Sequence, residues 1–297
     1  MNYNYFRMIY YFYIRFYYYV KSCLFLIFLL GTQFSFGQKE FDVNTIQIDK
    51  DLFHTKIVID SISGYKQFIN ILKFPNSTLD NLELNSVIVS DKFNKTSSTA
   101  RKYNAIAAVN GGFFNMKIGG LVTYFEKNDS TIYRTVADSI QRSKPSYFLN
   151  GAIVIDKNKN LRLDIAKSDS FYEKSKEEYL VMLTGPVLLK NGKALALADI
   201  PFVTNRHPRT CIAISEKEIF LITVDGRRSS ALGMNLLELQ DYLIELGCKD
   251  AINLDGGGST TMWIKDKGVV NIPSDKNGER AVSNILMITS MTSADVN

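Results

Sequence analysis

The chain is poor in the side chains that build metal centres and covalent scaffolds: its 297 residues include 2 histidines, 3 cysteines and 1 tryptophan. So few histidines leave no His/Asp cluster of the kind two-metal phosphodiesterases use. Three cysteines exclude a disulfide framework. One of them, Cys23, falls in the N-terminal leader, so only Cys211 and Cys248 concern the fold. Cys211 lies in an apolar strand-like run and Cys248 follows a helix, so a disulfide and a pair of buried thiols are equally compatible with the pattern. No Pro/Gly/Ser-rich linker divides the chain, and no solenoid or propeller period recurs in it. A concentrated basic face, which nucleic-acid binding requires, is also missing.

What is present at the N-terminus reads as an export signal. Arg7, Arg15 and Lys21 are the only charges in the first 37 residues, an apolar segment Leu24 to Leu30 follows them, and Ser35-Phe36-Gly37 offers small residues for cleavage before Gln38. The apolar segment is short for a bilayer, so residues 1–37 are expected to be a cleaved signal peptide. A periplasmic or secreted location follows, with no stable membrane insertion once the signal is gone. The leader holds 3 of the 35 basic residues and none of the 30 acidic ones, which reduces the net charge from +5 to +2. Residues 38–297 suffice for one substantial core, and a single domain is expected.

Short β-rich runs alternate with turns along this domain. Strands are predicted at Thr55 to Asp60, Gln67 to Lys73, Ala105 to Val109, Ala152 to Ile155, Pro186 to Leu189, Cys211 to Ser215, Ile219 to Val224, Ala251 to Leu254, Met262 to Ile264 and Asn284 to Thr289. Several are apolar without alternation, which implies burial on both faces. A helix is predicted over Leu236 to Leu246: Leu236, Leu239, Leu243 and Leu246 form its stripe, Asn235 and Glu238 a capping box, and Gly247 its stop. A shorter helix is expected over Ser97 to Tyr103, and the polar stretch Asp156 to Glu178 reads as a solvated hairpin or insertion. The expected fold class is α+β, a single domain with a mixed β-sheet core and helices packed on it.

Chemistry concentrates where apolar strands meet polar, glycine-rich tips. The richest tip is Asn253-Leu254-Asp255-Gly256-Gly257-Gly258-Ser259-Thr260, in which three glycines let amide N–H groups gather around an oxyanion beside a carboxylate. Asn110-Gly111-Gly112-Phe113-Phe114, Pro208-Arg209-Thr210 and Val224-Asp225-Gly226-Arg227 share the design. If these tips lie on one side of the sheet, Asn110, Arg209, Asp225, Asn253 and Asp255 ring a single cleft. Each has a plainer reading: Asp225-Gly226 and Asn110-Gly111 are common turn dipeptides, Arg209 suits a surface ion pair, His207 suits a solvated loop, and Phe113-Phe114 suit a core. Their co-occurrence favours a site.

These segments, together with Thr184-Gly185-Pro186-Val187-Leu188, Gly233-Met234-Asn235-Leu236 and Val282-Ser283-Asn284, occur in the order seen in the phosphodiester glycosidase family, which the chain resembles from about Thr55 onward. That family includes the enzyme that uncovers mannose 6-phosphate by removing N-acetylglucosamine from a phosphodiester. The resemblance implies hydrolysis of the C–O bond between sugar and phosphate in a sugar-1-phosphodiester, with a phosphorylated glycan or small sugar-1-phosphodiester as substrate. It implies Asp255, Asp225 and Arg209 as catalytic residues: Asp255 at the anomeric carbon or water, Asp225 as base or sugar ligand, the two being exchangeable, and Arg209 on phosphate. Asn110, Gly111, Asn253, Gly256, Gly257, Gly258, Ser259 and Thr260 would bind substrate. A 2-acetamido group on the sugar could itself serve as nucleophile, leaving one aspartate to orient it. No cofactor is called for, although a divalent cation such as calcium stays compatible with the carboxylates. Two alternatives remain: a non-catalytic module that binds phosphorylated glycans, and a metal-dependent phosphodiesterase that breaks P–O.

Overall fold

The computed structural model describes residues 41–62, 64–76, 82–89, 92–136 and 148–290, and strands dominate it. The expected signal peptide lies outside the described residues. An eight-stranded sheet runs in the order β1 (Phe41–Asp49), β2 (Leu52–Ile62), β3 (Tyr65–Pro75), β15 (Glu218–Val224), β14 (Arg209–Ile214), β16 (Asp250–Asn253), β12 (Val187–Lys190) and β13 (Lys193–Ala194). A five-stranded sheet orders β10 (Leu161–Ile165), β9 (Gly151–Asp156), β11 (Glu178–Thr184), β7 (Phe125–Lys127) and β8 (Ser130–Tyr133). A second five-stranded sheet orders β18 (Gly268–Val269), β17 (Met262–Ile264), β6 (Ala107–Asn110), β20 (Asn284–Ser290) and β4 (Leu82–Ile88). The short pair β5 (Asn94–Lys95) and β19 (Ala281–Val282) completes the set.

The expected α+β class holds roughly, with strands far outweighing the four short α-helices of the described residues, among them the single turn α3 (Pro201–Thr204), while the expected mixed sheet is corrected. Every named strand pairing is antiparallel, so the sheets are not mixed. Parallel neighbours need crossovers of a dozen residues or more, usually helical, and a chain that turns back after a few residues supplies hairpins instead. Ser215 to Glu218 makes one such turn between β14 and β15, closed by the Ser215 N–H on the Glu218 carbonyl at 2.8 Å. All ten predicted strands are present, Met262–Ile264 with the expected bounds and the other nine with shifted ends.

The central core lies among the three large sheets. Leu72, Ile212, Leu221 and Ile252 enter it from the first, Ile153, Leu180 and Met182 from the second, and Ala107, Val109, Leu286 and Ile288 from the third. The alternate residues of the same strands face outward, and a helix covers each outer face. Helix α4 (Leu236–Glu245) lays Leu236, Leu239 and Leu243 against Ile71, Cys211, Ala213 and Ile222. Helix α1 (Thr96–Lys102) places Ala100 over Ala108, Ile285 and Met287. Helix α2 (Asp169–Lys174) sets Tyr172 beside Tyr124, Val154 and Val181. Burial on both faces explains why these strands show little alternation. The polar stretch Asp156 to Glu178 does contain a solvated hairpin, the exposed turn between β9 and β10, and it is anchored to the domain by the buried Leu163, Asp169, Tyr172 and Glu178. The predicted cap of α4 forms as expected: Asn235 accepts from the Glu238 N–H and the Glu238 carboxylate accepts from the Asn235 N–H. Cys211 and Cys248 are buried free thiols, and burial pushes the Cys248 thiol up to about 12.

Candidate active site

Antiparallel register brings the four polar tips to one edge. Strand β14 starts at Arg209 where its neighbours end, so Arg209 pairs with Val224 and Cys211 with Asn253. The loop after β16 is then tied across to the third sheet: the Asp255 N–H donates to the Gly111 carbonyl at 3.1 Å, and Asn110 Nδ2 donates to the Asp255 carbonyl at 2.6 Å. The Gly257 N–H donates to the Pro208 carbonyl at 2.9 Å. Asp225 stands at the end of β15, and its N–H donates to Phe68 in β3.

Within this gathering most of the expected ligands form a buried scaffold. Asn110 Oδ1 accepts from Thr210 Oγ1 at 2.8 Å and from the Thr261 N–H at 3.1 Å. Asn253 Nδ2 donates to the Gly185 and Leu254 carbonyls, while its buried Oδ1 has no partner among the described residues. Gly111 is glycine because a Cβ would collide with the Asn284 amide, which clamps Gly112 through both its N–H and its carbonyl. Thr260 is buried and its carbonyl accepts from Asn271 Nδ2 at 3.0 Å. Arg209 is 1 % exposed, and its guanidinium donates to the carbonyls of Met234, Phe202 and Asn205 at 2.9, 2.8 and 2.9 Å. Its charge holds a loop together rather than facing a cleft. Asp225 is 2 % exposed, accepts from the Ile272 N–H and Asn271 Nδ2, and lies 3.6 Å from Arg228. Burial raises its pKa against the pull of those partners.

The glycine tip differs from an amide nest. The N–H groups of Gly256, Gly257, Ser259 and Thr260 all bond within the protein, to Asp255 Oδ1 and to the carbonyls of Pro208, Gly256 and Gly257. What the missing side chains admit is arginine. A Cβ on Gly257 would stand 2.9 Å from both terminal nitrogens of Arg227, and one on Gly258 would collide with Arg280 Nη2 and Asp275 Oδ1. Arg280 is held by a two-pronged pair with Asp275, at 2.7 and 2.9 Å, and its Nη1 reaches Ser259 Oγ at 3.4 Å. The Ser259 hydroxyl also favours the ionised form of the Asp255 carboxyl. Arg227 is exposed, and its Nη2 lies 3.5 Å from Nδ1 of the half-buried His207.

Asp255 is thus the partly exposed carboxylate at the centre, between two arginines that sit over consecutive glycines. Burial raises its pKa to about 6, although Ser259, the Gly256 N–H, Arg280 and Arg227 all favour the ionised form. His207 is shifted the other way: burial, with Arg209 and Arg227 nearby, lowers it and keeps the ring neutral near pH 7. Arg227 stood within a quoted motif, but nothing in the sequence set it above Arg209. Arg280 carried no signal, since it closes a polar loop after Pro273. Among the described residues no group of three or more His, Cys, Asp or Glu side chains is placed to hold a metal ion.

The Gly258 contact is testable. In Gly258→Ala the new methyl must displace the Arg280–Asp275 pair, whose ends are mobile side chains rather than backbone. Activity is expected to fall about 10²-fold, the scale of an ångström-sized misplacement, while the melting temperature drops by only a few degrees. Kinetics and a thermal melt on one preparation check this; unchanged turnover would remove Arg280 from the site.

The chain is similar to known proteins in sequence and in fold. The family described as phosphodiester glycosidase matches residues 103–289, well over half of the chain. The SPbeta prophage-derived uncharacterized protein YomE of Bacillus subtilis (strain 168) is 25 % identical over 195 residues, covering 65 % of this chain and 29 % of its own. N-acetylglucosamine-1-phosphodiester alpha-N-acetylglucosaminidase of Bos taurus is 26 % identical over 193 residues, covering 60 % of this chain and 34 % of its own. The chain therefore spans about a third of the length of these relatives. The solved catalytic domain of the zebrafish enzyme of that name superposes with a TM-score of 0.63 at 19 % identity, covering 86 % of this chain and 85 % of that one, so the two share a fold. With residues 103–289 matched by the family as a whole, the chain belongs to the phosphodiester glycosidase family.

Proposed function

We propose that the protein is an exported hydrolase that cleaves the glycosidic C–O bond of a sugar-1-phosphodiester, releasing free sugar and a phosphomonoester. The observation that carries this reading is the pair of arginines folded over Gly257 and Gly258 beside Asp255. A phosphodiester brings one negative charge and leaves with more, so cations fixed in advance favour the departing phosphate over the bound substrate. Phosphate is a good leaving group, so the demand for a general acid is small. The remaining task is to stabilise positive charge at the anomeric carbon and to deliver water. Ionised Asp255 serves the first, and neutral His207, linked to the cleft through Arg227, is suited to take a proton from water. The buried Asp225 serves by anchoring Asn271 and Ile272. The name shared by the bovine and zebrafish relatives supports a sugar-1-phosphodiester as substrate class.

The reading specifies a pH profile. Asp255 acts as a carboxylate, so kcat/KM is expected to be flat above pH 7 and to fall about tenfold per unit as pH drops below about 6. A rate that instead falls as pH rises through 6 would make Asp255 the acid and reverse the assignment.

The direct test is incubation of the protein with UDP-N-acetylglucosamine and a panel of methyl and glycerol sugar-1-phosphates in oxygen-18 water, followed by mass spectrometry. Label in the sugar, with unlabelled phosphomonoester, is the expected result. Label in phosphate would mean P–O cleavage and overturn the reading. Binding of the panel without turnover would identify a phosphoglycan-binding module.

A further inference from the structure

Three phenylalanines from separate parts of the chain meet on one flank of the site. The ring centroids of Phe113 and Phe148 are 6.2 Å apart, those of Phe113 and Phe202 5.9 Å, and those of Phe148 and Phe202 5.4 Å, in edge-on and tilted arrangements. All three are partly exposed. Phe114, by contrast, is buried in the core against Phe93, so the adjacent pair that reads as core in the sequence divides between core and surface. The trio is attached to the catalytic edge at several points. Phe113 follows Gly111 and Gly112, the first bonded to Asp255 and the second to Asn284. The Phe148 carbonyl packs on Gly185, whose own carbonyl accepts from Asn253. Phe202 lies under the Arg209 guanidinium, 5.2 Å from it, and its carbonyl accepts one of the three bonds that immobilise that side chain.

Strand order gives the trio a side. Across the large sheet the sequence β15, β14, β16, β12 places Arg227 beyond the end of β15, Asp255 beyond the end of β16, and Gly185 with Phe148 just before β12. Asp255 therefore stands between Arg227 on one side and Phe148 on the other, and Phe202, under Arg209 at the start of β14, extends the aromatic surface from Phe148 across the end of the sheet. A substrate whose phosphate lies over Arg227 and Arg280, with its anomeric carbon at Asp255, extends its other half toward the phenylalanines.

We infer that Phe113, Phe148 and Phe202 form the wall against which the glycosyl ring packs, and that they select sugars presenting an unbroken C–H face or an apolar substituent there over sugars bearing a carboxylate. This inference rests on the proposed C–O hydrolysis for its orientation. Phenyl rings supply apolar surface and a negative face but no hydrogen-bond partner, so they reward pyranose C–H groups and penalise the burial of an unpaired charge. Cross-braced rings, one of them fixed beneath an immobilised guanidinium, present that surface at little cost in ordering.

Phe148→Ala tests it, with Phe148→Trp as a second variant that keeps the wall and adds a reporter. On a neutral sugar-1-phosphodiester, Phe148→Ala is expected to raise KM about 5–10-fold while the inhibition constant of inorganic phosphate, which reads the opposite flank, stays within about twofold. The emission of Phe148→Trp should change on titration with neutral methyl glycosides and stay constant with inorganic phosphate. A changed phosphate constant with an unchanged KM would place phosphate, not sugar, on the aromatic flank and overturn the inference. If the wild type hydrolyses no sugar-1-phosphodiester, the reporter still decides: a response to methyl glycosides alone supports the sugar wall although the hydrolytic reading has failed, and silence toward every glycoside overturns it.

Discussion

Asp255→Asn is expected to lose about 10²–10⁴-fold in turnover and, above pH 7, to melt at a higher temperature than the wild type. The carboxyl keeps its proton to about pH 6 in the folded protein, against 3.8 for the ordinary group. A raised folded pKa means that the native state binds more protons than the unfolded chain between those values, so stability falls as pH rises through the interval. The penalty is absent below about pH 4 and complete above 6. Taken at face value the shift corresponds to about 3 kcal/mol; partial exposure of the carboxyl lets solvent screen it, and about 1–2 kcal/mol is the reasonable expectation. For a domain of this size that is about 3–6 °C. The asparagine keeps the shape and carries no charge to desolvate. Melts of both proteins at pH 4 and pH 8, beside kinetics, check the pattern, in which the curves coincide at pH 4 and separate at pH 8. A variant that is inactive and less stable at pH 8 would show that Asp255 is a structural carboxylate, and one with near wild-type turnover would remove it from the mechanism.

Arg227→Ala and Arg280→Ala should each lower kcat/KM on sugar-1-phosphodiesters about 10²–10³-fold, the scale of removing one preorganised donor to a developing oxyanion. The loss should be specific to phosphate. An aryl glycoside of the same sugar, to the extent that it reacts, should change less than about threefold, and inorganic phosphate should inhibit the variants more weakly. Lysine should restore Arg227 better than Arg280. Arg227 is exposed and can act as a point charge, whereas Arg280 uses its planar fork on Asp275 at 2.7 and 2.9 Å while still reaching Ser259. Equal losses on both substrate types would mean that the arginines do not read phosphate. Asp275→Asn should resemble Arg280→Ala, because it frees the guanidinium from the geometry that aims it.

Much of the framework was legible. Asn235 and Glu238 announced the start of α4 because a capping box is a local device, complete within four residues. Doubly buried strands showed as unbroken apolar runs, since each face meets a different layer. The polar tips were also legible as a group, and antiparallel register gathers them. Their roles were harder to read. Arg209 attracts attention beside a strand, yet nothing in its neighbours reveals that three carbonyls, two of them in and at the end of the short helix Pro201–Thr204, consume its guanidinium. The glycines of residues 256–258 suggested amides aimed at an anion, whereas the Gly256 and Gly257 amides bond internally and Gly257 and Gly258 make room for side chains 30 residues before and 22 after in the chain. Phe113 and Phe114 are chemically identical neighbours, and only the direction each side chain takes at the end of β6 separates core from cleft.

Elements whose causes are local could be read from residue order: which segments extend, where α4 is capped, which tips carry carboxylate and amide groups, and the family those tips spell out in order. The all-antiparallel pairing, the burial of Asn110, Arg209, Asp225 and Asn253 as scaffold, and the seating of Arg227 and Arg280 over the glycines that follow Asp255 emerge only when the chain has folded. The difference is one of range. Propensity, capping and turn chemistry act over a few residues, whereas desolvation, charge pairing and ring packing depend on neighbours that the fold brings from far along the chain.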